Sequence, residues 1–477
     1  MFCFVFVEFF VTIGNLVQRN DKLPMNADML FVKADRTCKK EENLVQWRQN
    51  SNRSEGSNHL QKEAGREEES VMKYDFSSVI SREGKDALAV DLPAEARESG
   101  EGYFSVPIKE GFDAIPMWVA DMNFATVPTV QEAIGKRLVH PLYGYFSPRD
   151  EYYEAIIKWQ AAQNGVKDLT ADCIGYENGV LGGVVSTAGI LCSRGDKILV
   201  HSPTYVGFTG ALGNAGYELV HSPLVPDEKN VWRMDFADME KKLREQNIHA
   251  AIFCSPHNPT GRAWERWEIE AAMELFKKYD VYVISDEIWS DLYLAEHRHI
   301  PTQSVSEDAR ERTIAFYAPS KTFNLAGLIG SYHIVYNKRL RDRLRKESSL
   351  CHYNNMNLLS MYGLIGAYAA EGYEWLDELK QVLTANTEYA CEFIETRWKD
   401  VKVSKPQATY MLFLDCEEWC KNHGKTMDEL LADGLSVGVL WQDGRAFHGK
   451  FAIRMNLALP FDRVKEAFAR LDEYVFL

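Results

Sequence analysis

Four short apolar runs, each bounded by turn residues, constrain the fold of this chain more than any other feature. They read KILVHSP (197–203), HAAIFCSP (249–256), VYVISDE (281–287) and TIAFYAPS (313–320). Short, continuous apolar runs of this kind are typical of strands that are buried on both faces of a parallel sheet. We therefore predict four central strands in this part of the chain.

Amphipathic stretches separate these runs and predict the covering helices. The stretch ERWEIEAAMELFKKYD (265–280) places apolar residues on one helical face, namely Ile269, Ala272, Met273 and Phe276. Alternating strands and helices predict an α/β fold whose mostly parallel sheet is covered by helices.

Polar residues follow each predicted strand. The segments are His201–Tyr205, Ser255–Pro259, Asp286–Glu287 and Ser320–Lys321. Because ligands of open α/β sheets bind at the carboxyl ends of the strands, these four segments are expected to share one binding edge.

The charge balance excludes several classes of partner. The chain has 477 residues, with 54 Lys and Arg against 69 Asp and Glu, for a net charge of −15. This acidity argues against nucleic-acid binding and against binding to an anionic membrane surface. The nine cysteines are scattered and odd in number, which favours a reduced, cytoplasmic protein over a disulfide framework.

The chain divides into four predicted regions. Residues 1–71 are expected to be a disordered or mis-started extension, with Met72 as the natural start, because residues 19–70 are polar without sustained periodicity and the sequence takes on the mixed character of a folded domain at Met72. The apolar run MFCFVFVEFFVTIGNLV lacks the basic start of a signal peptide, and a membrane anchor is the less favoured alternative. Residues 72–125 form an N-terminal arm and part of a small domain, 126–364 the large domain, and 365–477 the rest of the small domain.

The expected edge combines four groups with complementary chemistry. An uncharged amine at Lys321 can condense with an aldehyde, and a carboxylate at Asp286 can keep a pyridine nitrogen protonated. The amide of Asn258 can donate to a ring oxygen, and Tyr205 can lie flat on the ring. Together, these four groups are the ones that a pyridoxal 5′-phosphate site requires. The glycine turn of YENGVLGGVVSTAGIL (176–191), which opens an apolar helix, suits the phosphate.

The motifs resemble those of a known enzyme superfamily. SPHNPTGR, VISDEI and SKTFNLAGL resemble the asparagine, aspartate and lysine motifs of the fold-type I, class I/II aminotransferase superfamily. IPMWVADMNF, HPLYGYF and IRMNLALP are similar to its MalY/PatB-type branch of carbon–sulfur lyases. The resemblance covers roughly residues 72–477 and implies a large domain with a seven-stranded, mostly parallel sheet, plus a smaller α+β domain.

The resemblance also implies a role for individual residues. Lys321 would bind the cofactor covalently, Asp286 would pair with its ring nitrogen, Asn258 would bond its ring oxygen and Tyr205 would stack on it. The phosphate would be held by Gly179, Val180, Leu181 and Ser320, and by Tyr145 of a neighbouring subunit. Arg454 would bind the substrate carboxylate, and no metal is expected.

The implied activity is carbon–sulfur β-lysis of cystathionine or a related cysteine S-conjugate, which yields a thiol, pyruvate and ammonia. The implied assembly is a cytoplasmic homodimer with shared active sites. Two alternatives remain: an aminotransferase that uses the same lysine and a 2-oxo acid, and a non-catalytic regulatory protein that keeps the fold.

Three positions depart from the superfamily pattern. Trp289 stands where many relatives have a tyrosine, Ile329 stands where many have a phosphate-binding arginine, and Asn123 replaces an expected aspartate. The first two make an ordinary aspartate-type transaminase less favoured. His297 and His299 lack a metal-ligand pattern and are predicted to be solvated surface residues.

Overall fold

The structure is a computed structural model that describes residues 72–352 and 354–476. The predictions for residues 1–71 lie outside the described residues. The strands are β1 (Ile115–Pro116), β2 (Ile174–Asn178), β3 (Lys197–Ser202), β4 (Glu218–Pro226), β5 (Trp232–Met234), β6 (Ile248–Cys254), β7 (Tyr282–Asp286), β8 (Thr313–Tyr317), β9 (Gly330–Ile334), β10 (Lys402–Val403), β11 (Met411–Asp415), β12 (Val439–Leu440), β13 (Gln442–Asp443) and β14 (Ala452–Asn456).

Helices lie between most of these strands. They are α1 (Leu88–Ser99), α2 (Pro128–Leu138), α3 (Asp150–Asn164), α4 (Val180–Leu191), α5 (Val206–Asn214), α6 (Phe236–Glu245), α7 (Arg266–Lys278), α8 (Glu307–Arg312), α9 (Pro319–Thr322), α10 (Lys338–Cys351), α11 (Leu358–Ala367), α12 (Ala370–Arg397), α13 (Glu417–His423), α14 (Met427–Ser436) and α15 (Phe461–Tyr474). Short 3₁₀ turns occur at Tyr103–Ser105, Ala171–Cys173, Thr302–Ser304, Ala326–Leu328 and Gly444–Phe447.

The main sheet has the strand order β2-β9-β8-β7-β6-β3-β4-β5. The four apolar runs form β3, β6, β7 and β8, which are neighbours and pair in parallel. Strand β9 is antiparallel to both β2 and β8, and β5 is antiparallel to β4. The prediction of a mainly parallel sheet covered by helices is therefore confirmed.

The predicted number of strands is wrong. Within the part of the chain that the structure describes, the sheet has eight strands, not seven. The edge strand β5 has three residues and follows β4 after a short polar turn. Such a short segment carries too few residues for an alternating or continuous apolar pattern to stand out.

The helix predicted from ERWEIEAAMELFKKYD is α7, and its predicted apolar face is buried against the sheet. Glu265 and Glu268 form a reciprocal capping box at its start, which satisfies backbone donors that a helix leaves unpaired. Sequence periodicity and capping thus agree on the position of this helix.

A second, smaller sheet contains β14, the strand of Arg454. Its order is β10-β11-β14-β13, and β1 pairs with β12 beside it. One apolar core joins residues from the start of the described chain to residues from its end, including Phe104, Ile115, Leu430, Ile453 and Phe468. This packing is consistent with a small domain built from both ends, although the predicted domain boundaries stay a prediction.

Within the described ranges, no helix combines the length and the apolar character needed to cross a bilayer.

Candidate active site

Lys321 lies just beyond the carboxyl end of β8. Ala318 is extended and Pro319 opens the short helix α9, so Lys321 is the third residue of that helix. The Lys321 Nζ donates a hydrogen bond to the backbone oxygen of Ala120 at 2.8 Å. It also lies 5.7 Å from the ring centre of Trp289. The buried strand β8 therefore ends at a point where the Lys321 amine lies against Ala120 and Trp289.

Asp286 is the last residue of β7 and lies beside Cys254 of β6 and Phe316 of β8 in the sheet register. Its side chain is buried, and Oδ1 accepts a hydrogen bond from the Ile288 backbone N–H at 3.1 Å. Burial raises the pKa of the Asp286 carboxyl to about 7, which the Lys321 charge only partly opposes. A cation placed against this carboxylate would relieve the cost of ionising it.

The Lys321 amine is shifted in the complementary direction. Burial and, to a smaller extent, the nearby Arg454 charge lower the pKa of the Lys321 amine to about 8, against the charges of Asp121 and Asp286, which raise it. A neutral amine fraction near neutral pH is what a nucleophile or a general base requires.

Arg454 lies on β14 and is buried. Its Nη1 donates to Asn258 Oδ1 at 3.2 Å, and its Nη2 donates to the backbone oxygen of Trp118 at 2.9 Å and to the Gln442 side chain. Burial lowers the pKa of Arg454 to about 10. Among the described residues, its Nε has no hydrogen-bond partner, so the guanidinium keeps a donor for a carboxylate.

Tyr205 is half-buried at the start of α5 and packs edge-to-face on Phe208, with ring centres 5.3 Å apart. A Cβ on Gly207 would lie 2.4 Å from the Tyr205 ring, so this ring position requires the glycine. The charges of Arg454 and Asp286 both act on the pKa of Tyr205, which burial raises. The structure thus brings together Lys321, Asp286, Asn258, Tyr205 and Arg454.

The glycine turn predicted for the phosphate precedes α4. Gly179 has a φ of 84° and caps the helix, whose first residues are Val180 and Leu181. Backbone N–H groups in a first helical turn have no carbonyl partner within the helix and suit an anion. Ile329 Cγ2 lies 3.7 Å from the position that a Cβ on Gly179 would take. An apolar side chain, that of Ile329, therefore stands beside the turn at the position where the superfamily resemblance led us to expect an arginine.

Ser320 and Tyr145 differ in placement. Ser320 precedes Lys321 in α9 and is partly buried. Tyr145 is fully exposed, in a segment that also exposes Leu142 and Tyr143. The single chain does not bury Tyr145, so its proposed contact with the phosphate stays a prediction about an assembly.

Sequence reasoning missed three polar residues that shape the site. Asn456 Nδ2 donates to the backbone oxygens of Val119 and Asp121, and Asn324 Nδ2 donates to that of Met122. Tyr410 is buried and donates to the backbone oxygen of Ala120. A signal was available, because Asn456 and Tyr410 are polar residues within apolar strand-like runs, and buried polar groups require partners.

The prediction that His299 is a solvated surface residue is wrong. His299 is buried, and its Nε2 lies 2.7 Å from Glu287 Oε2. Glu287 also accepts hydrogen bonds from Tyr317 and Ser285. Glu287 directly follows Asp286, and its buried carboxylate needs these donors. The contacts that supply them arise from packing in the folded chain, which the local sequence does not show. His297 is partly exposed.

A separate cleft of about 710 Å³ is lined by residues that include His221, Trp232 and Phe413. None of the predicted site residues lines it. The candidate active site is therefore located by the convergent polar groups at the strand ends and is distinct from this cleft.

The chain belongs to the aminotransferase class I and II family, whose sequence profile matches residues 117–471. The family predicted from the motifs is thereby confirmed.

Two relatives are similar over most of their length. The cystathionine beta-lyase PatB of Bacillus subtilis (strain 168) is 31% identical over 362 residues, which cover 75% of this chain and 92% of that protein. The protein MalY of Escherichia coli (strain K12) is 27% identical over 408 residues, which cover 83% of this chain and 98% of that protein.

Solved structures agree with the described fold. The PLP-bound C-S lyase from Staphylococcus hominis superposes with a TM-score of 0.75 at 29% identity, covering 85% of this chain and 99% of that one. Cystalysin from Treponema denticola, which contains a pyridoxal 5′-phosphate cofactor, gives a TM-score of 0.76 at 28% identity, covering 84% of this chain and 98% of that one.

Proposed function

We propose that this protein is a pyridoxal-phosphate-dependent carbon–sulfur β-lyase that acts on cystathionine or a related cysteine S-conjugate. The observation that carries the proposal is that Lys321 and Asp286 lie close enough in one buried site for each charge to act on the other's pKa. An amine whose pKa is lowered to about 8 lies in the same buried site as a carboxyl whose pKa is raised to about 7. Perturbed groups of opposite type in one site are typical of catalytic machinery.

The residues of the site fit the cofactor. The buried carboxylate of Asp286 suits a protonated ring nitrogen, and the amide of Asn258 suits the ring oxygen. Tyr205 offers a ring face, and Gly179, Val180, Leu181 and Ser320 would hold the phosphate. These assignments are supported by burial and by the electrostatic effects of Arg454 and Asp286 on the pKa of Tyr205.

The bound cofactor would supply an electron sink for negative charge that develops at the substrate α-carbon. The guanidinium of Arg454 would bind the substrate carboxylate through its free Nε donor and fix the orientation of the α-carbon. Lys321 would then remove the α-proton as general base and could return it to the leaving sulfur. Burial of both groups excludes water and strengthens these interactions.

The lyase and the aminotransferase share proton removal at the α-carbon and differ in the next step. A lyase expels the β-thiolate, whereas an aminotransferase requires a 2-oxo acid acceptor. The similarity to PatB, and the departures at Trp289 and Ile329, favour the lyase.

Incubation of the purified protein with cystathionine tests the proposal. We expect pyruvate to form without any 2-oxo acid, together with the absorbance of bound cofactor. Lys321→Ala is expected to abolish both. Lys380→Ala is a matched control, because Lys380 is also largely covered but contacts Tyr293 outside the site. Turnover that depends strictly on 2-oxoglutarate would favour the aminotransferase instead.

We also propose a cytoplasmic homodimer in which Tyr145 reaches the phosphate of the neighbouring subunit. The support is the exposed apolar segment that contains Leu142, Tyr143 and Tyr145. An apolar segment of this kind on a single chain is typical of an interaction surface.

A further inference from the structure

The bent segment 118–122 borders the candidate site, and each of its backbone oxygens accepts a hydrogen bond from a side chain. The donors, in chain order, are Arg454 to Trp118 (2.9 Å), Asn456 to Val119 (2.7 Å), Lys321 and Tyr410 to Ala120 (2.8 and 3.0 Å), Asn456 to Asp121 (2.5 Å) and Asn324 to Met122 (2.9 Å). The segment is therefore held in one conformation by residues from several elements.

The Ala120 oxygen differs from the others because two residues donate to it. Asn456 holds the oxygens on either side, at Val119 and Asp121, and so fixes the direction of the Ala120 carbonyl. Tyr410 is buried and packs against Trp289 with ring centres 4.7 Å apart, which fixes its hydroxyl. The Lys321 amine and the Tyr410 hydroxyl therefore donate to the same Ala120 oxygen, and both this oxygen and the hydroxyl are held in place by their neighbours.

We propose that the Ala120 carbonyl is the resting position of the Lys321 amine whenever that amine is free, and that Tyr410 is a positioning residue that limits how strongly the carbonyl holds it. The consequence for catalysis rests on the proposed function, since a free amine must leave this position to act on the cofactor or the substrate.

The physical reason is competition for one oxygen. A carbonyl stabilises an ammonium group more than a neutral amine, because a charged donor makes the stronger hydrogen bond. The Tyr410 hydroxyl donates to the same oxygen and so uses part of its acceptor capacity. Burial raises the pKa of Tyr410 well above its ordinary value, so the hydroxyl stays a neutral donor.

Other charges also face the Lys321 amine. Arg454 approaches from β14 and Asp286 from β7, while Asp121 lies on segment 118–122 and pairs with Arg82 at 2.5 Å. These groups do not change when the Tyr410 hydroxyl is removed. The effect of Tyr410 can therefore be measured against a constant background.

Competitive acetylation of the cofactor-free protein, followed by mass spectrometry of the peptide that carries Lys321, gives the midpoint pH at which this amine becomes reactive. We expect Tyr410→Phe to raise the midpoint by about 0.5–1 pH unit, since a net hydrogen bond of about 1 kcal/mol corresponds to this shift. The Ala120 oxygen keeps its Lys321 donor and the ring stays in place, so the variant should fold.

Two further variants make the result decisive. Tyr103→Phe is the matched control, because Tyr103 also donates to a backbone oxygen, that of Trp441 at 3.1 Å, away from Lys321; its midpoint should equal that of the wild type. Asp121→Asn removes a charge that raises the pKa of Lys321, so it should lower the midpoint. If Asp121→Asn shifts the midpoint and Tyr410→Phe does not, the proposal is overturned.

Uptake of pyridoxal phosphate by the cofactor-free protein, followed by absorbance, is a second readout. At about pH 7.5 the uptake rate of Tyr410→Phe should fall roughly 3- to 10-fold, as the neutral amine fraction falls.

Should Tyr410→Phe not fold, 3-fluorotyrosine at position 410 keeps the ring and strengthens the donor, and an unchanged or raised midpoint would overturn the proposal. A wild type that takes up no cofactor would refute the proposed function and leave the labelling result standing.

Discussion

Asp286 and Lys321 lie at the carboxyl ends of adjacent parallel strands, β7 and β8, and burial shifts their pKa values in opposite directions. Each group is less readily charged than it would be in water. This costs stability in the cofactor-free protein, because both charges are buried without a strong partner for either. The same arrangement lets Asp286 accept a cationic ring and keeps part of Lys321 as a neutral amine. The site therefore lowers the stability of the cofactor-free protein in favour of function.

Asp286→Asn should stabilise the cofactor-free protein at about pH 8 more than at about pH 5. The folded-state pKa of Asp286 is raised from 3.8 to about 7, so the folded state binds a proton that the unfolded state lacks between these values. The contribution of this group to stability therefore falls as pH rises through that window. Asparagine keeps an acceptor for the Ile288 N–H and cannot ionise.

Thermal unfolding at the two pH values measures this effect, with an expected difference on the order of a few kcal/mol. The same variant should bind pyridoxal phosphate much more weakly than the wild type. An equal change of stability at both pH values would contradict the prediction, because it would show that ionising Asp286 costs the folded protein no stability.

His299→Ala should destabilise the protein by about 2–4 kcal/mol at neutral pH, because it removes a donor from a buried carboxylate. Burial would raise the pKa of Glu287, but hydrogen bonds from His299, Tyr317 and Ser285 outweigh burial and lower it. A lowered carboxyl pKa contributes stability that is lost as pH falls. The cost of His299→Ala should therefore shrink below about pH 4.5, which denaturant unfolding at two pH values would measure.

His297→Ala is the matched control for this prediction. His297 lies in the same loop but is partly exposed, so its replacement should change stability by no more than about 0.5 kcal/mol. Equal effects of the two variants would contradict the role assigned to the buried pair.

The central strands and the residues at their ends could be predicted from the sequence because both depend on local patterns. The apolar runs of β3, β6, β7 and β8 and the apolar face of α7 are each encoded within a dozen or so neighbouring residues. The placement of Lys321 and Asp286 then results from the general geometry of parallel sheets.

The remaining features depend on side-chain contacts that no local sequence pattern specifies. The pairing of His299 with Glu287, and the two donors that Ala120 receives from Lys321 and Tyr410, join segments whose proximity exists only in the folded chain. The three-residue strand β5 was missed for a different reason, since it is too short to show a period.

Ile329→Gly should stabilise the protein relative to Ile329→Ala by about 1 kcal/mol. Ile329 has a φ of 59°, a left-handed conformation that a β-branched side chain adopts only with strain, and its side chain is about half exposed. Both variants remove the same apolar branches, so the comparison isolates the cost of a Cβ at this φ. Glycine normally destabilises relative to alanine, and chemical denaturation that gave this usual order would contradict the strain.

Mixed dimers of Lys321→Ala and Tyr145→Phe should recover activity that neither variant shows alone. If Tyr145 of one subunit completes the site of the other, a mixed dimer contains one site with both residues intact and one with both replaced. Random mixing makes half of the dimers mixed, so about a quarter of the wild-type sites should be restored.

Co-refolding of the two purified variants, with the cystathionine assay as readout, measures this recovery. Mixing without refolding is the control, since subunits that do not exchange should show only the sum of the separate activities. Activity equal to that sum after subunit exchange, verified by affinity tags on the two variants, would place Tyr145 in its own subunit's site or outside any site.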